Sequence, residues 1–232
     1  MRLQRQADIS EELLDHLLKR EGEAYVSRGT SIAQVKELTL CLVKAQRAKL
    51  AKANGEQVTR EPLDVVAKTK ILLGVAFSQL VNSVEKRVEI PLRGGEVVSG
   101  KIDYLPDGIP AEIKVTWAKP KEAVDVDPQY LEQLASYAVA EGVSDGRLYV
   151  LYAGGWQPTL RCYAATFAHD DLLSWRVELE RRAYVINSVA PISPIGNHYG
   201  WECGRCPHSP GNGGDCTGTR ENGKTVGFFT PR

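Results

Sequence analysis

The chain has 232 residues, enough to bury one substantial core and short for two full domains with a linker. Hydrophobic residues make up 43% and charged residues 25%, which excludes a disordered or fibrous class. The 29 basic and 29 acidic residues cancel, so net charge by itself favours no polyanionic partner, and five cysteines, an odd number, argue against a simple secreted disulfide scaffold.

The first twenty residues hold an apolar cluster too short and too interrupted by charge for a signal peptide or a membrane span, so a cytoplasmic location is expected. Leu13, Leu14, Leu17 and Leu18 recur at helical spacing and predict a short amphipathic helix over 9–20. Gly22 and Gly29 mark a break, after which Thr30 or Ser31 caps a second helix running to about Ala53, where Asn54-Gly55 stops it. A third helix is expected over 64–84. Between Lys36 and Lys70 eight basic residues face four acidic ones, a surplus that suits either a phosphate backbone or a solvated helix face.

The hydrophobic period then changes from helix to strand. Arg87 to Leu92 alternates, Arg93-Gly94-Gly95 turns, Val97 to Tyr104 returns, Pro106-Asp107-Gly108 turns again, and Ile109 to Trp117 reads as a third strand. These three strands predict a β-meander. After a charged loop, residues 128–141 place Tyr130, Leu131, Leu134, Tyr137 and Ala138 on one helical stripe. Gly146 to Tyr152 is a buried strand by composition, Thr159 to Phe167 a strand beside it, and 169–186 a closing helix. Cys162 falls in an apolar strand and is expected to be a small buried hydrophobe; Trp117 and Trp156 are expected to pack, with base stacking as the alternative. Three regions follow: an N-terminal helical region, 1–62; an α/β core, 63–189; and a Pro/Gly-rich tail, 190–232. With Pro191, Pro194, Pro207, Pro210 and frequent glycine, that tail has too little apolar content to hold itself down.

The chemistry is concentrated in Gly100 to Lys114. A turn between two strands brings Asp103 and Glu112 near each other, and strand alternation puts Glu112 and Lys114 on one side while Ile113 enters the core. Asp103, Glu112 and the Ile113 carbonyl are hard oxygen ligands suited to Mg²⁺ or Mn²⁺. Lys114 would orient or help deprotonate a water, or steady developing negative charge. In the tail, Cys203, Cys206 and Cys216 form a C-x2-C-x9-C pattern. Three thiolates so spaced point to a metal or cluster, and zinc with His198, His208 or Cys41 is one completion.

Gly100-Lys101-Ile102-Asp103, Glu112-Ile113-Lys114 and Gln133-Leu134-Ala135-Ser136-Tyr137 occur in the order that resembles the PD-(D/E)XK nuclease superfamily, and more closely its Cas4-like and RecB-like iron–sulfur members. The resemblance spans roughly residues 31–216. It implies an α/β, restriction-endonuclease-like nuclease core with N-terminal helices and a C-terminal cysteine cluster region. It implies a metal-dependent DNA nuclease, an exonuclease or a flap- or overhang-cleaving enzyme, using metal-activated water and leaving 5′-phosphate and 3′-hydroxyl ends. Gln133 and Tyr137 would serve auxiliary roles at the metal site or DNA backbone. Cys41 would join Cys203, Cys206 and Cys216 around a 4Fe–4S cluster. DNA with single-stranded ends or overhangs is the implied substrate, with Arg47, Lys49 and Lys52 as backbone contacts.

No P-loop or G-x-G-x-x-G signature is present, so unwinding would come from a helicase or integrase-type partner. The family commonly carries a histidine in the helix before the hairpin, where this chain has Gly74-Val75-Ala76-Phe77-Ser78; Gln79 and Glu85 are the candidate substitutes. Phe77 leaves open a non-catalytic DNA-binding or assembly subunit that retains the fold, and a zinc-binding structural or regulatory protein stands as a further alternative.

Overall fold

A computed structural model describes residues 31–56, 65–80, 85–103, 106–122 and 126–189, together with 206, 208, 214, 216, 228 and 229. The expected helix over 9–20 lies outside the described residues. In chain order the elements are β1 (Ser31–Gln34), α1 (Val35–Leu38), α2 (Leu42–Ala53), α3 (Val65–Leu80), β2 (Lys86–Pro91), β3 (Val97–Ile102), a single 3₁₀ turn (Pro106–Gly108), β4 (Ala111–Thr116), α4 (Pro128–Glu141), β5 (Asp145–Tyr152), β6 (Thr159–Thr166) and α5 (His169–Asn187).

The strands form two three-stranded mixed sheets, ordered β1-β3-β2 and β4-β5-β6. In the first, β2 and β3 are antiparallel from Lys86↔Ile102 to Pro91↔Val97, joined by a turn in which Gly95 takes φ 84°. That left-handed conformation is open to glycine at little steric cost. In the second, β4 runs parallel to β5, and β6 runs antiparallel to β5.

Two expectations need correction here. The predicted single helix from 31 to 53 divides into β1, α1 and α2, because Ser31–Gln34 pairs in parallel with β3 and the chain leaves helical geometry between Leu38 and Leu42. The predicted meander is also wrong in its last step. β4 turns away from β3 to pair with β5, across a connection that holds Asp107 at φ 51° and Gly108 at φ 79°. Asp103 and Glu112 are therefore not on paired strands; they belong to two sheets that meet.

Helix α4 spans that meeting line, touching β2, β4, β5 and α5. Pro128 sits in its first turn, where a missing N–H costs nothing, and Gly142 ends it in the left-handed conformation at φ 68°. Every side chain from Glu132 to Ala138 is buried, polar ones included. The polar groups accordingly need partners inside the protein. Glu132 Oε2 accepts from Arg182 Nη1 at 2.9 Å, and the same Arg182 group donates to the Leu38 carbonyl at 2.8 Å. Arg182 Nε donates to Glu178 at 2.7 Å, and its guanidinium lies 4.7 Å from the Trp175 ring. Trp175 Nε1 donates to Ser136 Oγ at 3.0 Å, which in turn donates to the Glu132 carbonyl at 2.8 Å.

Around this bond network lies the apolar core, with Leu38, Ile90, Ile102, Leu134, Leu148, Leu179 and Ile186 essentially inaccessible. Gly146 on β5 is required by the packing, since a Cβ there would stand 2.6–2.9 Å from three side-chain carbons of Leu134. Helix α3 lies against β4 on the Val115 side. No described helix is long and apolar enough to cross a membrane.

Cys162 departs from expectation: it is exposed, because Leu160, Cys162 and Ala164 share the face of β6 turned away from the core. Trp156, in the loop between β5 and β6, is 99% exposed, so it does not pack.

Removing one partner of a buried ion pair strands the other charge. Arg182→Met is expected to lower the unfolding free energy by about 3–5 kcal/mol in urea titrations, with Glu132→Gln/Arg182→Met recovering much of that loss. A loss in the single variant below about 1 kcal/mol would mean that the pair does not hold the helices together.

Candidate functional site

β3 ends at Ile102, and Asp103 follows it directly. Asp103 Oδ2 accepts the Ile113 N–H at 3.1 Å, a bond that ties the end of the first sheet to the middle of β4. The direction of that N–H is informative. Arg147 N–H donates to the Pro110 carbonyl at 2.9 Å and Ala153 N–H to the Thr116 carbonyl at 2.8 Å, so the even-numbered residues of β4 turn their backbone groups toward β5. By strand alternation, Ile113 turns both N–H and carbonyl the other way, to the side where Asp103 stands.

Along β4, Glu112, Lys114 and Thr116 project to one face. Glu112 is 3% exposed, and its Oε1 accepts a hydrogen bond from Lys114 Nζ. Among the described residues its second oxygen, Oε2, is buried without a partner at close hydrogen-bond geometry, the Tyr137 hydroxyl facing the carboxylate. Burial, opposed by Lys114 and reinforced by Asp103, pushes the Glu112 carboxyl up to about 7. Asp103 is also raised by burial, with Lys114 and the Ile113 N–H pulling the other way. For Lys114 burial disfavours the charge, but the Glu112 and Asp103 carboxylates outweigh it and hold the ammonium above its ordinary value. Its Nζ also lies 5.5 Å from the Tyr130 ring centre, a cation–π distance.

Helix α4 closes the site from above. Tyr130, Gln133 and Tyr137, spaced three and four residues apart, share one helical face. The Tyr137 phenol is held well above its ordinary value by burial and then by the negative charges of Glu112 and Asp103. Gln133 is 6% exposed, and among the described residues its Oε1 is a second buried oxygen without a hydrogen-bond partner. Gly100 makes the approach of Tyr137 feasible: a Cβ there would lie 2.9 Å from Tyr137 Cε1 and 2.9 Å from Val35 Cγ2. A cavity of about 30 Å³ continues the row beyond Lys114, beside Thr116, Lys121, Tyr130 and Tyr152.

Asp103, Ile113, Glu112, Lys114 and Tyr137 are therefore brought together. Tyr130 was read there only as part of an apolar stripe; its signal was its place three residues before Gln133. Glu85 precedes β2, opposite Asp103 in the β2–β3 register, where it pairs with Lys101 and its charge acts on Asp103. Phe77 lies on α3, the helix that packs against β4. Arg47, Lys49 and Lys52 are on α2, remote in sequence from this centre; Lys49 Nζ donates to Asn187 Oδ1 at 3.1 Å and burial lowers its pKa.

The expected 4Fe–4S cluster does not hold. Among the described residues no group of three or more His, Cys, Asp or Glu side chains could hold a metal ion, so Cys41, Cys206, Cys216 and His208 do not converge as cluster or zinc ligands must. Cys203 lies outside the described residues. Cys41 sits at the start of α2 and Cys206 is buried; Cys216 N–H donates to the His208 carbonyl at 2.8 Å. The resemblance to the iron–sulfur branch and the structural-zinc alternative fall with that finding.

No protein-family profile and no curated protein sequence matches the chain. Among solved structures, the crystal structure of SSO0001 superposes with a TM-score of 0.60 at 19% identity, covering 89% of this chain and 96% of that one. That match shows a shared fold. An alkaline exonuclease from Laribacter hongkongensis gives a TM-score of 0.44 at 13% identity, over 66% of this chain and 87% of its own. Its complex with dAMP gives 0.42 at 16% identity over the same shares.

Because the folded Glu112 carboxyl titrates near 7, above its ordinary 4.5, the folded state binds that proton more tightly than the unfolded chain. Its stabilising contribution is complete below the ordinary value and is lost as pH rises through the folded one. The melting temperature of the wild type relative to Glu112→Gln is thus expected to fall between about pH 5 and about pH 8, measured without divalent ions. A flat difference across that range would place Glu112 in a solvated setting. Gly100→Ala, forced against the Tyr137 ring and Val35, is expected to cost about 1–3 kcal/mol in the same melts.

Proposed function

We propose that the chain is a divalent-metal-dependent deoxyribonuclease with a restriction-endonuclease-type core, hydrolysing phosphodiester bonds at the Asp103–Glu112–Lys114 centre. One observation carries the reading: two carboxylates from different sheets meet in a buried place, and among the described residues Glu112 Oε2 has no partner at close hydrogen-bond geometry, the Tyr137 hydroxyl facing the carboxylate from α4. An unsatisfied buried carboxylate oxygen costs stability and calls for a partner. Asp103, Glu112 and the outward-turned Ile113 carbonyl make an all-oxygen donor set that fits a hard cation. Only two of these donors are acidic side chains, leaving coordination to be completed by water and substrate oxygens, as is usual for Mg²⁺.

A bound divalent ion would supply Lewis acidity toward water and the scissile phosphate. Lys114, held as an ammonium by Glu112 and Asp103, suits the role of steadying negative charge on the phosphate rather than that of base. Glu112 positions it through their direct hydrogen bond. Gln133 and Tyr137, on the face of α4 above the carboxylates, orient the strand undergoing cleavage. Arg47, Lys49 and Lys52 are assigned to the DNA backbone, with Lys49 the weakest of the three because it is half-buried and bonded to Asn187. DNA carrying a single-stranded end or overhang is the substrate class, and a helicase or integrase-type protein the kind of partner that would supply unwinding.

A non-catalytic DNA-binding subunit is the second reading, favoured by Phe77 in place of a ligating residue on α3. Both readings are separated by end-labelled single-stranded and 5′- or 3′-overhang DNA incubated with protein and Mg²⁺ or Mn²⁺. Wild-type protein is expected to cut only with the metal, chelation to abolish cutting, and Glu112→Gln to reduce it by at least about 10²-fold while DNA binding persists. Binding without cutting by the wild type would favour the non-catalytic subunit.

A further inference from the structure

Phe228 and Phe229 come from the C-terminal segment, far in sequence from the helices they touch. Their rings pack 5.0 Å apart, and together with Trp175 and Phe167 they form one aromatic cluster. Phe228 lies 5.1 Å and Phe229 5.4 Å from the Trp175 ring, and Phe229 lies 5.3 Å from Phe167. The backbone joins in: Phe228 N–H donates to Glu132 Oε1 at 2.8 Å.

That bond ties the C-terminal segment to a buried carboxylate. Glu132 is wholly inaccessible, and its other oxygen belongs to Arg182. On the same side of α4, one turn further on, Ser136 is held by Trp175 Nε1, the indole that the two phenylalanines flank. Three anchors thus grip α4 along Glu132 and Ser136: Arg182, Trp175 and the C-terminal segment. The adjoining face of the same two turns carries Gln133 and Tyr137, and the Tyr137 phenol feels the charges of Glu112 and Asp103. A helix transmits displacement rigidly over so short a span, so what grips Glu132 and Ser136 sets where Gln133 and Tyr137 stand.

We infer that Phe228-Phe229 is an intramolecular latch whose docking on Trp175 and Glu132 positions α4, and through it Gln133 and Tyr137, over the Asp103–Glu112–Lys114 centre. The latch contacts no reacting group; it acts through α4. Its consequence for cleavage rests on the proposed nuclease function, whereas the docking and its hold on α4 do not.

The test uses the full chain carrying Phe228→Ala/Phe229→Ala, with and without the synthetic peptide Thr225–Arg232 of the natural sequence. Three quantities are read: amide exchange along Leu131–Ala138, calorimetric binding of the peptide, and kcat and KM for metal-dependent DNA cleavage. The variant is expected to exchange at least tenfold faster along α4 and to lose at least tenfold in kcat, with KM within twofold. Added peptide should bind and restore both, and the same peptide with both phenylalanines replaced by alanine should do neither. Unchanged exchange along α4, or absence of binding by the natural peptide, would overturn the latch. Failure of the wild type to cleave under any metal condition would overturn the nuclease reading alone, since exchange and calorimetry still decide the latch. If the double variant does not fold, Phe229→Ala, which preserves the Phe228 ring, is read by the same criteria.

Discussion

Helix α4 is buried along two full turns, yet it carries Glu132, Gln133, Ser136 and Tyr137, and the whole arrangement depends on how those polar groups are satisfied. A lone carboxylate with no access to water would unfold a helix or take up a proton. Glu132 meets Arg182 on one oxygen and the Phe228 N–H on the other. Arg182 also reaches the Leu38 carbonyl and Glu178, so α1, α4, α5 and the C-terminal segment converge on one charge pair. Exchanging such a pair for apolar side chains is often harmless, whereas breaking it is not. Its value here is in register: it permits one placement of α4 between the sheets.

The candidate centre follows the opposite rule. Glu112 is nearly as inaccessible as Glu132, but among the described residues only Lys114 bonds it at close geometry, with the Tyr137 hydroxyl facing it, and burial makes its carboxyl hard to ionise. Gln133 repeats the pattern with its own unpartnered oxygen. Among the described residues these are the two buried side-chain acceptors without a close partner, one on β4 and one on α4, in contrast to Glu132 and Ser136. Such concentrations of unsatisfied polar groups accompany binding and catalysis more often than packing. The bond from Ile113 to Asp103 keeps both carboxylates in place without neutralising either.

How the C-terminal segment is held also changes with the structure in view. Its Pro/Gly-rich composition demanded an anchor, and cysteine ligation was the anchor that its sequence advertised. Among the described residues no such ligand group forms, while the last aromatic pair is inserted against Trp175 and Phe167. Phe228-Phe229 offered little to a reader of the sequence, since two aromatics near a terminus have no periodicity and no turn to place them. Their importance comes from a socket assembled by residues 132, 167 and 175.

The local sequence determined much of this protein. Pro128 and Gly142 bounded α4, alternation set the faces of β4, and Asp103, Glu112, Lys114 and Tyr137 stand out in the sequence as residues that the fold then places near one another. Each of those signals is carried within a turn or a strand, where backbone geometry and side-chain period act directly. What the tertiary structure alone decided was pairing and burial. Ser31–Gln34 became a strand only because β3 offered it an edge, β4 joined β5 instead of β3, and Cys162 was left outside because it stands on the face of β6 turned away from the core. Gly100 and Gly146 look like ordinary strand glycines until Tyr137 and Leu134 are placed against them. These outcomes depend on which distant surface arrives to cover a segment, and that is a property of the assembled core, invisible to any short window of sequence.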